Sequence, residues 1–286
     1  MTSSTNKSVL ITGCSDGSLG AALAESFAQH GFHVFATLRN PKKASLLAAS
    51  RHDIEVLTLD VTDPASIASC KETVATKTGG TLDILVNNAG CMFIMPLLDT
   101  DIAESKKVYD VNVWGLLAVT QAFAPMLVKS KDGVVLNIAS IGGAVRMAWQ
   151  GIYNSSKASA RWLSETLRIE MQGLGVRVIT AMVGEVETNI YEKRRLEPEL
   201  PPSSYYASIK HLIFQQGTGQ MQKENEKAAV TAENLVRDVL SGRDGHVWRG
   251  GVAGRAKYLS WIAPERLFER FLHSSRGVYQ VERPVS

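Results

Sequence analysis

Six short, nearly unbroken apolar runs mark the first two-thirds of this chain, at 8–12, 32–37, 54–59, 82–87, 133–139 and 176–182. Continuous rather than alternating apolarity suits a strand covered on both faces, as in a parallel sheet. Between the runs lie segments of helical character at 19–30, 64–78, 102–130 and 153–173. Asp63 ahead of Pro64 offers a capping oxygen and a preset first turn, and Gly31 and Gly173 stand where helices stop. Parallel strands joined by helices cross over in the right-handed sense, which stacks helices on both faces. The expected fold class is therefore α/β, a doubly wound parallel sheet of about seven strands in three layers, α/β/α. Its seventh strand is expected at 246–248. No composition shift divides the 286 residues, so a single domain is expected over 1–286. Two segments depart from the rhythm. Residues 189–227, with Pro198, Pro201 and Pro202, read as a substrate flap, and 255–286 as a C-terminal extension with apolar and basic residues at helical spacing.

Charge and cysteine usage exclude several roles. Lys and Arg number 31 against 28 Asp and Glu, a net charge of +3 spread along the chain, so no clustered nucleic-acid footprint is present. Cys14, Cys70 and Cys91 have no metal-ligand spacing, and their odd number argues against a disulfide framework. A reducing, cytoplasmic location is expected. The apolar run at 9–11 is too brief for a signal-peptide core, and no stretch was expected to reach the roughly 20 apolar residues of a membrane span.

The first run leads into Gly13, Gly17 and Gly20 and then a helix. Glycine lets the backbone turn tightly and approach a pyrophosphate, while the N–H groups of the following helix attract the anion. The second run ends at Arg39 with no carboxylate, where dinucleotide folds that bind a ribose 2′-hydroxyl carry an acid. Arg39 can pair with a 2′-phosphate, which favours NADPH/NADP+ as cofactor; the alternative is that it begins a solvated loop. Asp16 tempers that preference, standing where a basic residue would strengthen it. Asp60, ending the third run, can accept from an adenine amino group.

Tyr153 and Lys157 are four apart, hence on one helical face. A tyrosine with a free pKa of about 10 is a poor proton donor at neutral pH, and a neighbouring ammonium favours its phenolate. Ser140, thirteen residues earlier at a strand tip, is placed to hold a substrate oxygen. Asn112 lies inside the 102–130 helix. It is either a satisfied core amide or the anchor of a water that relays protons to Lys157. Thr188 is a candidate for holding the nicotinamide carboxamide or the pyrophosphate.

Taken together, Thr12-Gly13-x3-Gly17-x2-Gly20, Asp60-Val61, Asn87-Asn-Ala-Gly90, Asn112, Ser140 and Tyr153-x3-Lys157 resemble the short-chain dehydrogenase/reductase family over residues 8 to about 190. The resemblance implies a Rossmann-type sheet. It also implies a homodimer or homotetramer assembled through the helices bearing Asn112 and Tyr153. It extends the cofactor set to Ser15, Leu19, Val61, Asn88, Ala89, Gly90, Gly184 and Val186. ITGCS, HVFATLR, LDVT, LDILVNNAG, MPLLDTDI and VWRGG are similar to the fungal and yeast branch of NADPH-dependent 1-acyldihydroxyacetone phosphate reductases. Related sequences reduce polyketide or aromatic ketones in fungal secondary metabolism. Two departures stand out. The turn is one residue longer than the usual G-x3-G-x-G, and Val183-Gly184 replaces the family's Pro-Gly.

The implied activity is hydride transfer to a ketone on a lipid-like, polyketide or aromatic substrate. A non-redox step on the same fold and a cofactor-sensing regulator are the alternatives, and a reaction that proceeds without NADPH would distinguish the first of them. Phe93, Met95, Arg146, Trp149, Gln150 and Tyr191 are the candidate substrate-pocket residues, with Arg146 the candidate for a substrate anion. Trp261, Leu267, Phe268, Phe271 and Leu272 lie among Arg266, Arg270 and Arg276. Packing on the same domain or a second subunit is the commoner fate of such a segment. Peripheral contact with a membrane or lipid droplet is the alternative.

Overall fold

A computed structural model describes residues 7–194 and 199–282. Part of the expected flap (195–198, with Pro198) and the last residues of the expected extension (283–286) lie outside the described residues. The strands are β1 (Ser8–Thr12), β2 (His33–Leu38), β3 (Ile54–Thr58), β4 (Ile84–Asn87), β5 (Val134–Ile138) and β6 (Arg177–Val183), then the two-residue β7 (Val186–Glu187) and β8 (Glu226–Lys227), then β9 (Gly245–Arg249). Seven of them form one parallel sheet in the order β3-β2-β1-β4-β5-β6-β9, and β7 pairs with β8. The chain runs outward from β1 to β3, then returns to β4 on the other side of β1. That reversal opens a crevice at the carboxyl ends of β1 and β4, the place where such sheets bind ligands.

The helices are α1 (Leu19–Gln29), α2 (Ser45–Ser50), α3 (Pro64–Thr78), α4 (Ile102–Tyr109), α5 (Leu116–Lys129), α6 (Gly151–Gln172), α7 (Lys210–Gly217), α8 (Ala228–Leu240), α9 (Ala253–Ile262) and α10 (Glu265–His273). Alternation within each strand feeds two cores. Val9 and Ile11 of β1 join Val34, Leu136 and Ile179 under Leu23 and Phe27 of α1 and Leu235, Val236 and Val239 of α8. Leu10 points the other way, with Phe35, Leu85, Val135 and Val178, under Val74 of α3, Phe123 and Leu127 of α5 and Met171 of α6. Full burial of each large side chain contributes about 1.5–3 kcal/mol, so both faces hold the sheet.

Two expectations change and a third, the stop at Gly173, holds with a detail added. The helix expected at 102–130 contains a π-helical stretch, Asp110–Gly115, between α4 and α5. Contrary to the expectation about spans, the 28-residue unit Ile102–Lys129 is long and apolar enough to cross a membrane. Half of its most apolar window is nevertheless buried, as in a core helix lying on a sheet. Gly173 caps α6 with right-handed backbone, and the left-handed residue of that turn is Gly175. Helix α8 was not expected, although Ala232, Leu235, Val236 and Val239 carry the i, i+3, i+4, i+7 signature and all are buried. Its Asp238, 3% exposed, receives both Nε and Nη2 of Arg249 at 2.7 and 2.6 Å, tying α8 to β9.

Candidate active site

Gly13 and Gly17 of the β1–α1 turn take left-handed backbone, φ +79 and +74. A Cβ on Gly13 would stand 2.9 Å from Ala89 Cα, and one on Gly20 would stand 2.5 Å from Asn88 Nδ2 and 2.6 Å from the Gly13 carbonyl oxygen. The turn is thus pressed against the loop after β4. Asn88 Nδ2 donates to the Thr12 and Gly13 carbonyls at 2.8 and 3.2 Å, and the N–H groups of Asn88 and Ala89 donate to Thr12 Oγ1 at 3.0 and 2.9 Å. The extra turn residue is absorbed by Ser18, whose Oγ accepts from Ala21 N–H and caps α1 ahead of the buried Leu19. Gly13, Ser15, Gly17 and Gly20 therefore form a cradle at a helix N-terminus, suited to a pyrophosphate. Asn189, which sequence reasoning missed, closes the cradle by donating from Nδ2 to the Asp16 carbonyl at 2.7 Å.

At the tip of β2 Arg39 is exposed, and Lys42 and Lys43 follow it in a short turn capped by Asn40. Those two lysines were not singled out from sequence. The Asp16 carboxylate accepts from the Leu46 and Leu47 N–H groups at 3.1 Å each, so it is engaged in holding the start of α2. Asp60 Oδ1 accepts from the N–H and Oγ1 of Thr62 at 3.0 and 2.8 Å. Val61 is buried beside Gly115, where a Cβ would meet Val61 Cγ2 at 2.7 Å.

Tyr153 and Lys157, one turn apart on α6, are both buried (6% exposed) at the carboxyl end of β5. Lys157 Nζ donates to the Ile138 carbonyl at 2.9 Å, and Ser140 Oγ accepts from Gly142 N–H at 3.1 Å. Burial pushes the Tyr153 phenol above its usual range, and its hydrogen bond with Ser140 opposes the rise. Burial also pushes Lys157 down to about 8, with the Cys91 thiol working the other way. The sequence-based expectation gave Lys157 the main influence on Tyr153. Here desolvation dominates both groups, because both are enclosed.

Asn112 is the satisfied amide of the two alternatives. Its Oδ1 accepts from Cys91 N–H at 2.9 Å, and its Nδ2 donates to the Cys91 carbonyl and Ser156 Oγ at 3.0 Å each. This stitch coincides with the π-helical stretch, a distortion common at functional sites. It also sets Gly90 close by: a Cβ there would lie 3.3 Å from Asn112 Oδ1 and 3.5 Å from Lys157 Nζ.

Around this centre, Phe93 and Met95 pack with Tyr153, and Trp149 packs with Ile94, Ile209 and Ile213. Trp149 holds left-handed backbone, φ +66, rare for a bulky residue. Gln150 is buried, and among the described residues its Oε1 has no hydrogen-bond partner. Tyr191 accepts from Gln222 Nε2 at 2.7 Å, and with Val186 and Thr188 it lines a cavity of about 210 Å³. Gly184 touches the Gly251 carbonyl so closely that a side chain is excluded. Arg146, which could hold a substrate anion or equally point to solvent, is on the solvent side. It is 71% exposed, and its Nη2 pairs with Glu265 at 2.5 Å and Glu269 at 3.4 Å on α10.

Comparison with known proteins shows the family and agrees with the fold. The family model described as short chain dehydrogenase matches residues 7–199. The chain is 47% identical over 280 residues to the short-chain dehydrogenase cctT of Talaromyces islandicus, covering 96% of this chain and 97% of that one. It is 42% identical to the short-chain dehydrogenase ptmH of Penicillium ochrochloron, covering 91% and 94%. Among solved structures, a short-chain dehydrogenase from Streptomyces avermitilis superposes with a TM-score of 0.77 at 27% identity, covering 95% and 98%. One from Burkholderia cenocepacia in complex with NADP superposes with 0.72 at 23% identity, covering 93% and 97%.

Proposed function

The chain belongs to the short-chain dehydrogenase family of oxidoreductases, and from that premise we propose that it is an NADPH-dependent carbonyl reductase with Tyr153 as its proton donor. The observation that carries this reading is the joint burial of Tyr153 and Lys157, with Ser140 bonded to the phenol, beside the glycine cradle. The cradle suits a dinucleotide because the close approach of the β1–α1 turn to Asn88 and Ala89 leaves helix N–H groups directed at the crevice. A bound nicotinamide dinucleotide supplies hydride to the carbonyl carbon.

Tyr153 gives its hydroxyl proton to the carbonyl oxygen, so one O–H bond breaks as the alcohol O–H forms. Ser140 holds that oxygen, and its hydrogen bond stabilises the phenolate left behind. Lys157, held near 8 by burial, exchanges protons close to neutrality and restores the phenol. Asn112 acts as a positioning residue. It fixes Cys91 and Gly90 beside Lys157 through three side-chain hydrogen bonds. Arg39, Lys42 and Lys43 support NADPH over NADH, as does the engagement of Asp16 at α2. The NADP bound by the Burkholderia protein is in keeping with this.

The substrate reading is a ketone of lipid-like, polyketide or aromatic type, supported by the apolar lining from Phe93, Met95 and Trp149. Cofactor oxidation with acyl-dihydroxyacetone phosphate set against aromatic and polyketide ketones is the test. Faster oxidation of NADH than NADPH would overturn the cofactor assignment, and no ketone reduction at all would overturn the activity. Trp114, Trp162 and Ile169, exposed on the helical unit 102–129 and on α6, support a homo-oligomer through those helices. A monomer mass in sedimentation would overturn that.

A further inference from the structure

The loop that precedes Tyr153 is clasped from the far end of the chain. Ala148 N–H donates to His273 Nε2 at 3.2 Å, the Trp149 indole donates to the Arg276 carbonyl at 2.8 Å, and Gln216 Nε2 donates to the Ala148 carbonyl at 2.8 Å. Through these bonds the segment after α10 becomes part of the substrate side of the site. It also delivers a cation there. The Arg276 guanidinium donates from Nε to the Leu272 carbonyl at 3.1 Å and from Nη1 to Gln216 Oε1 at 2.8 Å.

Both of those acceptors are uncharged, and a guanidinium has five N–H groups. Among the described residues no ion pair closes on Arg276. Burial works against its charge, while Glu185 and, less strongly, Tyr191 favour it. Glu185 makes no ion pair with it among the described residues, and its Oε2 accepts from Glu224 N–H at 3.1 Å. Tyr191 in turn feels the field of Tyr153. The guanidinium thus lies one side chain, Gln216, away from the loop that leads into Tyr153, and its own backbone carbonyl holds Trp149 of that loop. A cation drawn out of water against neutral partners destabilises the protein unless an anion arrives to offset it.

We propose that Arg276 recognises an anionic oxygen group on the substrate, so that the preferred ketone carries a carboxylate or a phosphate. This rests on the carbonyl-reductase reading above and narrows its substrate class. It also moves the anion-binding role from Arg146, which is exposed and paired with Glu265 and Glu269, to a residue some 130 positions later in the chain. Two of the bonds that clasp the loop use the Arg276 backbone carbonyl and His273, and only the third, through Gln216, leans on the guanidinium.

The test compares aryl ketones bearing a carboxylate with their methyl esters, and dihydroxyacetone phosphate esters with the unphosphorylated ketones, under saturating NADPH. The wild type is expected to prefer the anionic member of at least one pair by about 10-fold or more in kcat/KM. Arg276→Gln should raise KM for that member by about 10-fold while leaving kcat and the neutral ketones within about 3-fold. Arg276→Lys should recover part of the loss. Trp149→Phe, which loosens the clasp without removing the charge, should affect both members of a pair alike. The carboxylate and phosphate arms identify which anion is taken.

Neutral ketones reduced as fast as charged ones by the wild type, or equal losses on both in Arg276→Gln, would overturn the inference and leave the reductase reading intact. If no ketone is turned over, calorimetry of the matching hydroxy acid and its ester with NADP+ present gives the same comparison. Equal binding of acid and ester, or equal binding by wild type and Arg276→Gln, would overturn it.

Discussion

The dinucleotide cradle and the substrate side of the crevice are built differently. The cradle is knit by short hydrogen bonds among the ends of β1 and β4, with Thr12 serving two N–H groups and Asn88 two carbonyls. The substrate side is assembled from the 146–150 loop, Tyr191, Gln222 and the segment after α10, and it contains the partnerless Gln150 oxygen and the incompletely neutralised Arg276. Asn87 Oδ1 at the end of β4 also lacks a partner among the described residues, but the turn and loop of the cradle are bonded directly to each other, which makes them rigid before any ligand arrives. A region with unmet acceptors and an unneutralised cation is shaped to be completed by a substrate.

The largest expected effect separates chemistry from cradle. Tyr153→Phe should lower ketone reduction about 10³-fold, within the usual range for a general acid, with NADPH affinity within about 3-fold by fluorescence titration. Substantial surviving turnover would reassign the proton donor. Next comes the charge enclosed between the two regions. Because burial lowers the folded-state pKa of Lys157 from 10.5 to about 8, the unfolded chain binds one more proton between those values, so stability rises with pH from about 8 to 10.5 and is lowest below 8. Relative to Lys157→Met, the wild type should gain on the order of 3 kcal/mol in urea unfolding across that window. Parallel pH curves for the two proteins would contradict the enclosure of Lys157.

Gly20→Ala tests the cradle directly. Its Cβ would collide with Asn88 and the Gly13 carbonyl, so dinucleotide affinity should fall about 100-fold with a lowered Tm. Unchanged affinity would mean the cradle yields where the contacts say it cannot. Arg39→Gln is milder. It should reduce the NADPH-over-NADH preference about 10-fold in kcat/KM, and a wild-type ratio would return Arg39 to the solvated loop. Gln150→Leu is smallest. Removing a buried acceptor without a partner should raise stability by about 1 kcal/mol. A loss instead would show that the oxygen is already satisfied within the protein.

Much of the cradle and the reacting centre was readable because it is local. Gly13, Gly17 and Gly20 sit within one turn, Tyr153 and Lys157 within one helical turn, and Ser140 at the tip of a run apolar enough to be a buried strand. Asn112 was recognised but its role was open, since only the fold brings Cys91 to its amide. Helix α8 was legible in principle from its periodic apolar face. Asn189 closing the turn, Gln216 beneath the loop and Arg276 beside Tyr191 left no local trace, because each acts on a partner far away in the chain.

The sequence by itself determined the alternation of strand and helix, the glycine turn after β1 and the pairing of Tyr153 with Lys157 on one helical face. Periodicity, backbone permissiveness and one-turn spacing are properties of neighbouring residues. Tertiary structure alone decided that burial is the largest influence on Tyr153, that Asp16 serves α2, that Arg146 is tied to α10 and that Arg276 is brought to the loop before Tyr153. Desolvation and ion pairing depend on what surrounds a side chain, and those surroundings come from segments distant in the chain, from about 30 residues for Asp16 to 127 for Trp149 and Arg276.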